Sequence, residues 1–139
     1  YLLLSVPRAD FSYKKQLLHP KKCYSIDVGL TQANSASFSR DKGRILENLI
    51  FLHLKKNYKD IFYFKEKNEC DFVVKQKGEI IMAVQVCAHL TEENKGREIS
   101  GLQEALNTFK LKKGILITLS QEEKLESISV VPAWKWLSG

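Results

Sequence analysis

The spacing of apolar and polar positions changes several times along the chain, and each change predicts an element. Leu2 to Val6 is an apolar run stopped by Pro7, and Cys23 to Val28 is another closed by Gly29, so both read as strands. Residues 1–30 therefore read as short strands and loops. Residues 31–40, rich in Ser, Asn, Thr and Gln, read as an irregular connector. From Asp41 to Asn57 the period becomes helical. Ile45, Leu49 and Leu52 form one apolar row and Leu46, Ile50 and Leu54 a neighbouring one, an arc that predicts a helix covered on most sides. Ile61–Phe64, Cys70–Lys75 and Glu79–Cys87 then read as three strands, the last two joined by a Lys77-Gly78 turn. Connections this short predict antiparallel neighbours. A second helix is predicted from about Asn94 to Phe109, on the spacing of Ile99, Leu102, Leu106 and Phe109, with Gly96 and Gly101 weakening its early part. Gly114 leads into Ile115–Leu119, an unbroken apolar run of the kind found in buried parallel strands. Ser127–Val131 is a fifth strand, and Pro132 opens a short helix carrying Trp134 and Trp136, read as core or docking residues. The predicted class is α/β, a mixed sheet with helices packed on it.

Composition narrows this little. The 139 residues, 44% hydrophobic and 27% charged, suit one globular domain with a real core. No run approaches the roughly 20 apolar residues of a membrane span, and no export leader is visible, so a cytoplasmic chain without a membrane partner is expected. The apolar start Tyr1-Leu2-Leu3-Leu4, without Met, suggests a piece of something longer. Cys23, Cys70 and Cys87 are odd in number and scattered, which favours free thiols over a disulfide, and no CxxC or suitable His spacing offers a zinc site.

Charge changes the picture more. The formal charge is +6. Within the first 40 residues Arg8, Lys14, Lys15, Lys21, Lys22 and Arg40 face only Asp10 and Asp27. Such a flank attracts phosphate backbones or acidic partners, or is simply a solvated surface.

Candidate chemistry rests on three positions. Glu47 sits on the predicted helix beside Ile50, Phe51 and Leu54, so its carboxylate lies toward an apolar face. Asp71 opens the strand Phe72-Val73-Val74. Gln85 lies inside the apolar run Ile80–Cys87, where alternation puts Gln85 and Cys87 on one face and Met82, Val84 and Val86 on the other. Each has an ordinary explanation alone: a helix Glu pairs with a lysine, and a strand-opening Asp serves a turn. Together they imply a polar network, since buried polar groups need partners.

The segments Gly43-Arg44-Ile45-Leu46-Glu47-Asn48-Leu49-Ile50, Glu69-Cys70-Asp71-Phe72-Val73-Val74 and Val84-Gln85-Val86-Cys87, in this order and spacing, resemble the C-terminal domain of a widespread group of bacterial and archaeal P-loop ATPases of the AAA type. Tyr24–Leu30 upstream, Arg97-Glu98-Ile99 with Leu102, and Ile128–Leu137 downstream extend the resemblance over essentially the whole chain. It implies a PD-(D/E)XK, restriction-endonuclease-like core over residues 41–139, with residues 1–40 the end of a connecting winged-helix-like region that follows an ATPase domain. ATP would belong to that missing part, since this chain has no GxxxxGK[ST]. In an active member of such a fold a helix Glu, a strand Asp and a carboxylate on the next strand hold Mg²⁺, which activates water for attack on phosphate, and a lysine two residues on assists. Glu47 and Asp71 fall on the first two positions. Gln85 and Cys87 fall on the (D/E)XK element, so a ligand charge and the lysine are both replaced. Glu69, Glu79, Lys75, Lys77, Lys95 or Arg97 could compensate. Arg97, with Lys95, would contact phosphate; alternatively Arg97 and Glu98 satisfy Glu47 or Asp71 as an internal salt bridge. Three readings follow: a DNA-associated module with a degenerate site, a working Mg²⁺-dependent DNase using Glu47, Asp71, Gln85 and a relocated lysine, or a protein-interaction domain.

Overall fold

A computed structural model describes residues 3–26 and 38–139. The chain runs β1 (Leu3–Val6), α1 (Tyr13–Leu18), β2 (Lys22–Ser25), α2 (Phe38–Asn57), β3 (Asp60–Lys65), β4 (Glu69–Gln76), β5 (Glu79–Val86), α3 (Lys95–Phe109), β6 (Gly114–Thr118), β7 (Glu123–Leu125), β8 (Ile128–Pro132) and α4 (Ala133–Ser138). β1 and β2 pair antiparallel as a small separate sheet, and the others form a six-stranded sheet in the order β3-β4-β5-β6-β8-β7.

The expected antiparallel block is β3-β4-β5. Its second turn has positive φ at both Lys77 (53°) and Gly78 (81°), the sign pattern of the tight hairpin turn whose twist matches that of the strands. β5 then pairs parallel with β6 through the α3 crossover, and β6 pairs parallel with β8. Alternation along the strands sends Val84, Val86 and Ile117 into a core with α2, α4 and the β1–β2 unit. Ala83, Leu116 and Val130 meet Leu102, Ala105 and Leu106 of α3 on the other face.

One irregularity positions the site. Phe62 is opposite Val73 but Phe64 is opposite Cys70, so Asp71 and Phe72 together face Tyr63. This bulge breaks the alternation. Cys70 and Val73 both pack on the α3 side, while Phe72 stacks with Phe51 and meets the tilted Tyr24 ring on the α2 side and Asp71 meets Lys22 there.

Four expectations are corrected. Tyr13–Leu18 is a helix, capped by the Ser12 hydroxyl accepting from the Lys15 N–H, within a stretch read as strands and loops. Residues 38–40 belong to α2 and not to the connector; the remainder of that connector, 31–37, and the end of the second predicted strand lie outside the described residues. β7 was not expected: it is a short, polar edge strand with none of the apolar alternation that marks strands. On α2, Leu46, Ile50, Phe51 and Leu54 are buried but Leu49 is exposed, so the helix is covered on fewer sides than its apolar arc suggests.

Candidate functional site

The cleft lies where β4 begins and β5 ends. A space of about 220 Å³ is lined by Glu47, Glu69, Asp71, Gln85, Val86, Arg97 and Glu98. α2 supplies Glu47, the β4 bulge Asp71, β5 Gln85, and the first turns of α3 Arg97 and Glu98. α3 comes this close only because residue 101 is glycine. A Cβ there would stand 2.1 Å from the Glu69 carbonyl oxygen, so the residue that sequence reading treats as a weak point of the helix is what seats it.

At the mouth stands a residue that sequence reading missed. The Lys22 ammonium, carried in on β2, is 2.7 Å from Glu69 Oε1, 3.4 Å from Asp71 Oδ1 and 3.6 Å from Glu47 Oε2. Tyr24, two residues on and on the same face of the strand, donates its hydroxyl to Glu47 Oε2 at 2.8 Å. Its ring stacks on Phe51 at 4.5 Å. Behind it, Asn48 exchanges two hydrogen bonds with the Ser25 backbone. Residues 7–9 lie along β3, with Ala9 N–H donating to Tyr63 O and Tyr63 N–H to Pro7 O. The basic N-terminal flank is thereby docked, and one of its lysines is committed to carboxylates. Nothing in the sequence foretold this, because the predicted strand begins at Cys23, one residue after Lys22.

Gln85 is fully occupied. Its Oε1 accepts from the Asp71 N–H at 2.8 Å, and its Nε2 donates to Glu69 O at 3.1 Å and to Glu98 Oε2 at 2.7 Å. Asp71 Oδ2 accepts from the Val86 N–H at 2.9 Å. Arg97 pairs with its neighbour Glu98 at 3.3 Å, and not with Glu47 or Asp71 as the salt-bridge alternative had it.

Electrostatics follow from crowding. Glu47, Glu69, Asp71 and Glu98 face Lys22 and Arg97, a formal surplus of two negative charges. Burial and then the neighbouring Glu47 charge push the Asp71 carboxyl well above the usual carboxylate range, against the pull of Lys22. Lys22 is raised despite its burial, because Asp71, Glu47 and Glu69 hold it charged. Burial and then Glu47 raise Tyr24, keeping its hydroxyl a donor.

The structure thus brings Glu47, Asp71, Gln85 and Arg97 together and leaves two other candidates outside. Cys87 is half-buried beyond the end of β5, its sulfur against the His89 carbonyl, and burial followed by Glu98 pushes its thiol to about 11. Lys95 pairs with Glu123 at 3.5 Å. Lys75 and Lys77 lie at the opposite end of the sheet.

The arrangement does not fit Mg²⁺. Gln85 Oε1 is held by the Asp71 N–H, and Glu47, Glu69 and Asp71 already share the Lys22 ammonium. Among the described residues no three His, Cys, Asp or Glu side chains could hold a metal ion as they stand.

Fold and cleft together define an α/β domain with a lysine-centred carboxylate site. The chain belongs to the family described as "Domain of unknown function (DUF4143)", whose model matches residues 42–136. An "Uncharacterized protein MJ1544" of Methanocaldococcus jannaschii is 41% identical over 142 aligned positions, covering 91% of this chain and 31% of that protein. The chain therefore spans about a third of this relative's length. No solved structure gives a significant match. Among the described residues no helix is long and apolar enough to cross a membrane.

Proposed function

We propose that this domain is a nuclease-like, C-terminal module of a larger ATPase that associates with DNA without cutting it. The observation that carries this reading is the separation of charge along the sheet. The cleft has surplus negative charge and its own lysine, which disfavours both a scissile phosphate and a metal. The other end has exposed Lys55, Lys56 and Lys59 after the buried part of α2, Lys75 and Lys77 at the β4–β5 turn, and Lys110, Lys112 and Lys113 after α3, against Asp60, Glu79 and Glu126. A one-sided lysine surface of this kind neutralises phosphates regardless of sequence. Phosphate contacts are thus expected there, and not at Arg97 and Lys95.

The test is binding of linear duplex DNA across a salt series, with supercoiled DNA and Mg²⁺ or Mn²⁺ in parallel cleavage reactions. Replacing Lys75, Lys77 and Lys112 by Gln should weaken binding and lower the log–log salt slope by about 2–3. Metal-dependent cleavage that disappears in Glu47→Ala/Asp71→Ala would replace this reading with a working DNase. A second reading, protein docking, is favoured by one observation: Phe11, Tyr13, Leu17 and Leu18 are all exposed on and beside α1. Salt-insensitive absence of DNA binding would select it.

A further inference from the structure

We propose that the groove beside the end of α3 stacks the bases of an unpaired DNA strand. This deepens the DNA-associated reading, on which it rests, by naming the form of DNA.

α3 ends at Phe109, where Lys110 turns left-handed. Beside that end lies a groove of about 990 Å³, over four times the volume of the cleft. Phe62, Phe64 and Ile80 of the sheet line it, with Phe109 of the helix and residues 8–11 from the N-terminal unit. Phe64 meets Phe109 edge-on at 5.2 Å, and Phe11 tilts at 48° to the Phe109 ring, 6.2 Å away. Phe11 is placed there by the docking of residues 7–9 on β3 and by Asp10, whose carboxylate accepts from the Ser12 N–H. It is nonetheless 88% exposed, so its ring is free to stack. Tyr13, Leu17 and Leu18, also exposed, do not line the groove.

Rings alone would suit many ligands, and the cations choose among them. Lys65, Lys75 and Lys110 line the groove with no carboxylate partner among the described residues. Arg8 is held against the Lys65 carbonyl. Asp10 is occupied by His19 and the Ser12 N–H, which leaves Glu66 and Glu79 as the free carboxylates. Four cations thus face three carboxylates, with Lys77, Lys112 and Lys113 close by in sequence. Exposed rings beside unpartnered lysines match a strand that presents base faces and phosphates together. A duplex keeps its bases stacked on one another and offers the rings nothing. A purely apolar peptide would leave the lysines unanswered. With so small a charge surplus, stacking should carry more of the affinity than phosphate contact.

The experiment follows fluorescence anisotropy with the 139-residue chain. The probes are a labelled single-stranded oligothymidylate of about 15 nucleotides and a blunt duplex of equal length. The wild type should bind the single strand about tenfold tighter than the duplex. Phe11→Ala should erase that preference and leave duplex binding unchanged. Phe11→Tyr should keep it and Phe11→Leu lose it, since the ring and not the apolar bulk is what stacks. Because Phe11 is exposed, these variants stay folded. Lys75→Gln should lower the single-strand salt slope by about 0.7. A single strand bound no tighter than the duplex would overturn the inference, as would equal binding by Phe11→Ala and wild type; a bound duplex would then leave the DNA-associated reading standing. Binding of neither form rejects both. Tighter binding of a labelled Phe-Glu repeat peptide, lost in Phe11→Ala, would give the groove to a protein partner and likewise reject the DNA strand.

Discussion

The two ends of the six-stranded sheet both carry charged side chains and use them in opposite ways. At the cleft end, charges are drawn in between α2, β4, β5 and α3, and they form one network with backbone groups: Lys22 to three carboxylates, Gln85 to β4 and α3, Asp71 to Val86. At the far end the lysines project from helix termini and turns into water. The difference teaches where a substitution should be felt. A buried network transmits the loss of one member to the rest, whereas a solvated charge answers mainly to salt.

The largest break of this contrast is expected at a residue with no charge. Gly101→Ala drives a methyl into the Glu69 carbonyl, which is backbone and cannot turn aside. Either α3 or β4 must shift, and with it every Gln85 contact. A loss of about 3 kcal/mol or more is expected in denaturant unfolding, at or above the upper range for overpacking. Gly96→Ala, one and a half turns earlier in the same helix, meets nothing within 4 Å and should be neutral or stabilising by up to about 1 kcal/mol. Equal effects at the two glycines would show that α3 is not seated on β4 as described.

Next in size is Gln85→Ala. It strands the buried Asp71 N–H, removes a donor from Glu98 and empties a position only 4% exposed. The expected loss is about 2–3 kcal/mol. Lys75→Ala at the other end should stay within about 0.5 kcal/mol. A Gln85→Ala protein as stable as the Lys75→Ala one would remove the basis for treating the cleft as a network.

A third test reads the cleft through pH. Because burial and Glu47 raise the Asp71 carboxyl in the folded state, the native protein holds a proton that the unfolded chain has already released above its ordinary carboxylate range. The unfolded state then binds fewer protons, so this group makes stability fall as pH rises from the unfolded value of 3.8 through the raised folded one. Lys22 adds no slope in that window, since both of its states stay charged until well above it. Asp71→Asn should therefore flatten the acid side of the stability profile. A slope unchanged by that substitution would mean that another group carries it.

How far the sequence foretold this arrangement differs by region, for physical reasons. The β3-β4-β5 block was legible because period-two alternation and Lys77-Gly78 are local signals, and the parallel β6 because a strand covered on both faces is apolar throughout. Glu47, Asp71 and Gln85 stood out as polar groups among apolar neighbours, and the family resemblance then put them in one site. Nothing local signals that a strand bulge turns Asp71 toward α2. Lys22 was not legible at all: it stands 49 positions before Asp71 and reaches it by docking of a separate two-stranded unit. α1 and β7 are too short to show a period. Gly101 was misread because propensity measures its cost in an isolated helix, while its value lies in a tertiary approach.

The smallest predicted effect tests the far end on its own terms. Lys110 closes α3 in the left-handed conformation, φ 56° and ψ 41°, with its N–H bonded back to the Leu106 carbonyl. A residue with a Cβ is disfavoured there, and glycine is the usual helix terminator. Lys110→Gly should thus stabilise the fold by about 0.5–1 kcal/mol while removing one charge from the proposed phosphate surface. The two effects separate cleanly: a denaturant midpoint that rises together with a DNA salt slope that falls by about 0.9 places Lys110 in the phosphate surface. A raised midpoint with an unchanged slope leaves it outside that surface, and the basic end then narrows to the lysines of the β4–β5 turn and the last turn of α2. The same substitution could not be made in the cleft with both signs favourable, because among the described residues lining it each charge has a structural partner that its removal would strand.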